Sequence, residues 1–342
     1  MPQLPTLQHQ QQHSEKSSDK NSLRNFFLPP LAILWALFFL VEALLKRKKI
    51  FVITLKKGNM GNRLFLFSNV LAFAMENNFE VYNPTFYDFA DCFKGTQNDF
   101  FCRYPHQETR LFRRSFFLSE YFHKVTMKIA DFARRFPQNP FWKTFEFQSG
   151  SEIYDLDGPD FHEVIRGKKV VFIEGWPLMS RTSMAKHHSR ILDYFKPLSG
   201  YSGAIEEPIK KLRQDNEVVV GVAIRHGHYR WWRGGKYFFD TNRYADVMRR
   251  TAELFPGKKT GFFICSDEEQ DERKFEGLNI LFRKGHDLEN RYALSLCDYL
   301  ISPPSTYAGW AAFYGKVPYY VMTDPDAPLD LWFFKQAFNL NF

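Results

Sequence analysis

From Val218 to Met322 the chain keeps switching between short apolar strands and helices, and that alternation limits the folds open to it. EVVVGVAI, TGFFIC, LNILF, YLIS and PYYVM are rich in β-branched and aromatic residues, as buried strands are. Between them lie helices expected at Arg243–Leu254, at Leu288–Leu296 and directly after Pro303-Pro304. Strands that alternate with helices build a parallel sheet, because each parallel connection has to cross back over one face. A second set opens with IFVITL (Ile50–Leu55), the Gly loop KKGNMGNR and the helical run LFLFSNVLAFAMENN, which is how a nucleotide-fold βα unit begins. Lys168–Trp176 reads as another buried strand, followed by a helix to about Phe195. The turn-rich Pro197–Gly203 marks a boundary between two α/β halves, and a polar helix follows it to about Gln214. Residues 84–165, rich in Phe, Arg and Pro, read as irregular, with helical pieces near 119–135.

At 342 residues with 44% hydrophobic residues and 38 Phe, the chain can fill a large core, which excludes global disorder. Its formal charge of +8 suits an anionic partner: a nucleotide, a nucleic acid or a lipid surface. No nucleic-acid-binding module is recognisable, and the basic residues fall in a cleft-forming loop, so nucleic acid is not the expected partner. Cys92, Cys102, Cys265 and Cys297 lack CxxC spacing, which argues against a zinc site or a disulfide scaffold. Cys265 and Cys297 sit in apolar runs as core residues, and a Cys92–Cys102 disulfide would need an oxidising compartment. Residues 1–25 read as a disordered polar lead. Residues 26–45, FFLPPLAILWALFFLVEALL, read as a membrane anchor or interfacial helix, with a buried N-terminal helix as the alternative. Lys46, Arg47, Lys48 and Lys49 follow directly, so the positive-inside rule expects the large C-terminal part to be cytoplasmic.

Four stretches carry groups suited to a ligand. In Lys56–Arg63, Gly58 and Gly61 let the backbone turn tightly before a helix whose first N–H groups are unpaired. That pattern fits a plain βα turn as well as a ligand loop, and Asn62 and Arg63 add side chains able to reach into a cleft. In VVVGVAIRHGHYRWWRGGKYFF, a buried strand delivers Arg225 at its C-terminal end, where open α/β sheets bind ligands. An arginine fork suits a diphosphate, being planar and permanently charged. In FFICSDEEQ, Asp267 follows a strand end, where a carboxylate can meet a ribose or base edge or can simply cap a helix. In SPPSTYAGW, Ser305, Thr306 and Tyr307 open a helix after a rigid entry, as either a capped core helix or a phosphate site. Two further patterns read as bland: Asp324-Pro325-Asp326 as a surface turn, and His187-His188 as a helix face rather than a metal pair.

Taken in order, these stretches resemble the fucosyltransferase superfamily, most closely the bacterial α-1,2-fucosyltransferases (family 11 glycosyltransferases). The family's G-x-G-N-Q/R loop is similar to Gly58–Arg63, and its H-x-R-x-G-D-Y motif to Ala223–Tyr229. Its strand followed by Ser-Asp is similar to Ser266-Asp267, and its S-S/T-F-S-x-W-x-A helix to Ser305–Ala311. The resemblance spans roughly residues 50–322, with Ala223, His228 and Arg63 standing where the family carries His, Asp and Gln.

The resemblance implies an α/β, GT-B-like fold: two facing Rossmann-like domains, here preceded by the N-terminal hydrophobic helix. Residues 46–200 would form the acceptor-side domain and 201–342 the nucleotide-sugar domain. It implies a metal-independent, inverting transfer of fucose from GDP-fucose to a glycan hydroxyl, with no cofactor beyond that donor. Arg225 would clamp the β-phosphate, and Gly58, Gly61, Asn62, Arg63, Asp267, Ser305, Thr306 and Tyr307 would complete the donor site. His228 and Asp240 are the two candidates for accepting the acceptor's proton. The alternatives are a transferase of the same fold with another nucleotide sugar and a catalytically silent sugar-binding relative.

Overall fold

The computed structural model describes residues 48–108, 114–149 and 152–335, together with Leu45. The disordered lead expected at residues 1–25 and the anchor expected at residues 26–45, Leu45 apart, lie outside the described residues. Strand β1 (Ile50–Ile53) leads through the Gly loop into helix α1 (Met60–Glu76), and β2 (Glu80–Tyr82) follows. Almost every residue of α1 is buried, and the helix stops at Asn77, whose amide bonds back to the Phe73 carbonyl. Asn78 then takes the left-handed region at φ 55° and turns the chain toward β2. Helix α2 (Phe116–Arg134), β3 (Trp142–Gln148), the short β4 (Tyr154–Asp155), helix α3 (Pro159–Val164), β5 (Val170–Trp176) and β6 (Leu178–Met179) continue the first half. Helices α4 (Arg181–Lys186), α5 (His188–Tyr194) and α6 (Ser202–Asp215) lead to the second. There β7 (Val218–Ile224), α7 (Thr241–Glu253), β8 (Thr260–Ser266), β9 (Asn279–Phe282), α8 (Asp287–Leu294), β10 (Tyr299–Ser302), α9 (Thr306–Gly315) and β11 (Tyr319–Val321) alternate.

Two parallel sheets result, ordered β2-β1-β5-β3 and β11-β10-β7-β8-β9. The strand–helix alternation expected from Val218 onward is present, with each central strand of the second sheet buried on both faces. Three expectations need correction. Within residues 84–165, α2 meets the helical piece expected near 119–135, but β3 is a regular strand that pairs in register with β5. As an edge strand with Glu146 and Gln148 exposed, β3 carries too much polar sequence to read as buried. The helix expected after Trp176 is two short helices, with His187 outside helical geometry between them. All four cysteines are free and buried, Cys92 and Cys102 included.

The layers run in the order α2, first sheet, middle helices, second sheet, α7. Ile50, Val52, Val170 and Phe172 pack outward against Val125, Ala130 and Ala133 of α2. On its other face the first sheet packs on α1, and that core continues without a break through α9, α8 and α6 to Val219, Phe263 and Leu300 of the second sheet. Phe195 and Trp310 meet edge to face at 5.3 Å, and Tyr292 Oη donates to the Phe195 carbonyl at 2.7 Å. His188 Nε2 donates to the Phe313 carbonyl at 2.8 Å. The two halves are therefore joined by apolar packing as well as by polar contacts.

Candidate functional site

The site lies where the N-termini of α1 and α9 meet. Gly58 holds φ 60°, and a Cβ there would lie 2.2 Å from Asn62 Nδ2, so only glycine fits the turn. Gly61 is needed for closeness rather than conformation: a Cβ would lie 2.6 Å from Arg291 Nη1 and 2.9 Å from Thr306 Oγ1. Through that gap Thr306 Oγ1 donates to Asn62 Oδ1 at 2.7 Å, tying the first loop to the last helix. Ser305 is the N-cap of α9, its hydroxyl accepting from the Tyr307 amide at 3.1 Å.

Arg225 leaves the end of β7 into the same space. Its amide donates to Tyr244 Oη at 3.1 Å, and its guanidinium stands 3.5 Å from Asp267. The guanidinium also lies 5.5 Å from the centre of the Tyr307 ring. On that ring as well sits Arg291 of α8, at 4.4 Å. Burial holds the Tyr307 phenol protonated, well above its ordinary range, so the ring is a neutral partner for the two cations. Arg291 is only 2% exposed, and one of its nitrogens bonds Asp287 at 2.6 Å. Its Nε and Nη1, and the Nε of Arg225, are buried without a hydrogen-bond partner. Burying an arginine charge with donors unmet costs free energy unless an anion completes the set. Buried Arg291 and partly buried Arg225 both lie against one tyrosine beside two helix N-termini, which are themselves suited to negative charge. The arrangement is built for a compact anion with several oxygens.

The loop after Arg225 is held from behind. His226 is buried: its amide donates to Asp267 Oδ1 at 2.8 Å, and its Nε2 donates to the Phe239 carbonyl at 2.9 Å. Gln270 Nε2 donates to the remaining ring nitrogen at 3.2 Å. Tyr229 Oη donates to the Pro304 carbonyl at 2.6 Å, so the loop is bonded to the entry of α9.

The structure thus brings Gly58, Gly61, Asn62, Arg225, Asp267, Ser305, Thr306 and Tyr307 together. Arg63 supports the loop from behind: its Nε donates to the Gly58 carbonyl at 3.2 Å, while the guanidinium pairs with Asp88 at 2.5 Å and covers the Phe89 ring, inside the first half. His228 is exposed beside Tyr229, their rings 4.8 Å apart. Asp240 caps α7, accepting from the Arg243 amide at 3.1 Å. Arg291 was missed from sequence, because in NRYALSLCDYL it reads as the polar face of a helix. A cavity of about 340 Å³ opens nearby at the C-terminal ends of β1, β3 and β5, lined by Leu55, Lys57, Gln148, Ser149 and Trp176. Among the described residues no group of three or more His, Cys, Asp or Glu side chains is placed to hold a metal ion.

No family model matches the chain, and no curated protein matches it at a significant level. Among solved structures, a mutant of Arabidopsis thaliana FUT1 in complex with GDP aligns at TM-score 0.49 and 12% identity, over 82% of this chain and 72% of that one. Fucosyltransferase NodZ from Bradyrhizobium aligns at TM-score 0.47 and 15% identity, over 80% of this chain and 96% of that one. POFUT1 in complex with GDP aligns at TM-score 0.42 and 13% identity, over 79% and 95%. These scores all fall below one half, and the functional reading rests on the residues of this chain.

Proposed function

We propose that the protein is a membrane-associated, metal-independent, inverting glycosyltransferase of GT-B-like architecture that moves fucose from GDP-fucose to a glycan hydroxyl. The observation that carries the reading is the pair of arginines, partly buried Arg225 and buried Arg291, both held with unmet donors against Tyr307 at two helix N-termini. A diphosphate supplies the oxygens those donors lack, and the four motifs in fucosyltransferase order make GDP the diphosphate. The division into residues 46–200 for the acceptor and 201–342 for the donor belongs to this proposal, as does an anchor at residues 26–45 with the catalytic part cytoplasmic.

In the reaction the acceptor oxygen attacks the anomeric carbon as the bond to the β-phosphate oxygen breaks, so the configuration inverts. Negative charge grows on the departing GDP, where Arg225, Arg291 and the amides opening α9 are already in place. Stabilising the leaving group in this way lowers the demand on a base. Asp240 is occupied as a helix cap, which leaves His228 as the side chain proposed to take the acceptor's proton. The cavity beside Lys57 and Trp176 offers the acceptor an aromatic face and amide hydrogen bonds, the usual means of holding a sugar.

Calorimetry with GDP, UDP and CMP tests the donor, and product analysis after incubation with GDP-fucose and an acceptor panel tests the transfer. GDP binding with a new fucosylated product, unchanged by EDTA, is the expected result. Equal affinity for the three nucleotides would assign another donor. Binding without turnover would assign the silent sugar-binding role.

A further inference from the structure

One edge of the first sheet combines exposed aromatic rings with basic side chains. Trp142 Nε1 donates to the Ala133 carbonyl at 3.1 Å, which sets the C-terminal end of α2 at the edge where β1, β3 and β5 begin. There Phe132 and Phe136 pack on each other at 5.1 Å while remaining 55% and 48% exposed. Burying rings of that size is normally favourable, so two contacting rings left outside mark a patch suited to a partner. Arg135 lies between them in sequence, and Lys168 and Lys169 lead into β5 at the same edge, Lys168 bonding the Asn139 carbonyl at 2.8 Å. Lys48 and Lys49 lead into β1 beside them, and Ile50 packs in one cluster with Ala130 and Ala133. The apolar run 26–45 and its basic flank therefore join the folded part at this edge. The cleft with Arg225 lies at the opposite, C-terminal ends of the strands.

We propose that this edge, through Phe132, Phe136, Arg135, Lys168 and Lys169, docks the folded domain on an anionic lipid surface with the cleft turned away from it. Aromatic rings at the level of the headgroups, surrounded by lysine and arginine, are the chemistry such a surface selects. The point where residues 26–45 attach places those side chains within reach of the same membrane. The inference goes beyond that anchor, which holds the chain to a bilayer without fixing which face of the domain meets it.

The test uses the full chain and surface cysteines carrying a nitroxide, since the four native cysteines are buried. One label is placed at Gln138→Cys beside Phe136 and another at Lys57→Cys at the far end of β1. On phosphatidylcholine vesicles containing phosphatidylserine, the Gln138 label is expected to lose roughly three-fold or more of its accessibility to a water-soluble nickel relaxant. The Lys57 label keeps its accessibility. Phe132→Ser with Phe136→Ser, both at exposed positions, restores access at 138, and so does Lys168→Glu with Lys169→Glu. Equal access at both labels in a chain that still sediments with vesicles would overturn the docking face and leave the anchor standing. A Gln138 label already shielded without vesicles would overturn it too, by assigning the patch to a segment of the chain itself. Sedimentation only with phosphatidylserine, lost in Lys168→Glu with Lys169→Glu, would support the face and reject the anchor.

Discussion

Arg291 is buried and paired with the half-exposed Asp287, and it keeps two nitrogens unmet, which predicts separate effects on stability and binding. Removing one partner of an ion pair is costly when the other is left buried, but Asp287 keeps access to water, with its side chain 40% exposed. Arg291→Met should therefore leave the melting temperature of the ligand-free protein nearly unchanged while weakening GDP about tenfold, some 1.4 kcal/mol, and guanosine hardly at all. A melting scan with parallel calorimetry checks both; a variant that loses stability and keeps its GDP affinity would make Arg291 a structural residue. Arg225→Ala should cost about a hundredfold in GDP affinity, because Arg291, held from α8 and paired with Asp287, leaves the fork at the end of β7 unreplaced. His123 predicts a pH effect. Burial, with Lys56 nearby, lowers its pKa to about 4. The folded state thus resists a proton that the unfolded chain takes at about 6.5. Stability should be level above pH 6.5 and fall between about 6.5 and about 4, by no more than about 2 kcal/mol after allowance for solvent access. Denaturant melts across that range should show the fall, and His123→Phe should flatten it.

Among the elements, the close approach of α1 and α9 is the most vulnerable to a small change. Gly61→Ala places a methyl against Arg291 Nη1 and Thr306 Oγ1 and 3.2 Å from the Thr306 backbone carbon. Overpacking of that kind costs about 1–3 kcal/mol, and here it also pushes Thr306 from Asn62, so GDP affinity should fall together with stability. Ser305→Ala removes the cap of α9, with an expected loss of about 1 kcal/mol in a chemical melt. The sequence showed these elements well where burial is complete. β7, β8 and β10 are almost uninterrupted apolar runs, and the glycines of KKGNMGNR announce their loop. It hid elements that are half-solvated. β3 has exposed polar residues at an edge, and α2, whose helix was expected near 119–135, turns Phe117 and Phe132 outward, so periodicity there does not report the buried face. The same holds for the site. Arg225, Asn62 and Thr306 sit in recognisable turns at element ends, whereas Arg291 acquires its role only when α8 packs against α9 and a helix-surface arginine becomes fully buried. Arg63 shows the converse, a cation in the first turn of α1 whose pairing with Asp88 depends on a residue outside any motif.

The molecule as a whole is two sheets sharing one middle core, and its unfolding should reflect that. Trp310 is buried at the junction, with Phe195 at 5.3 Å and Tyr292 Oη accepting from its Nε1 at 3.2 Å. Trp310→Ala should cost about 3–5 kcal/mol and lower the transition of both halves together, seen as one shifted calorimetric peak. Two separate peaks in the parent protein would contradict a shared core. The packing across the halves has a further consequence for turnover. Many two-lobed transferases spend time swinging shut around their substrate, and a lobe can swing only if the surfaces between the lobes are free to part. Here that would require Phe195, Trp310 and Tyr292 to separate and the Asn62–Thr306 bond to break with each cycle. The nucleotide should instead enter a receptor of fixed width, so stopped-flow mixing with GDP should give a single phase whose rate rises linearly with concentration, and added viscogen should slow its arrival and leave no slow isomerisation behind it.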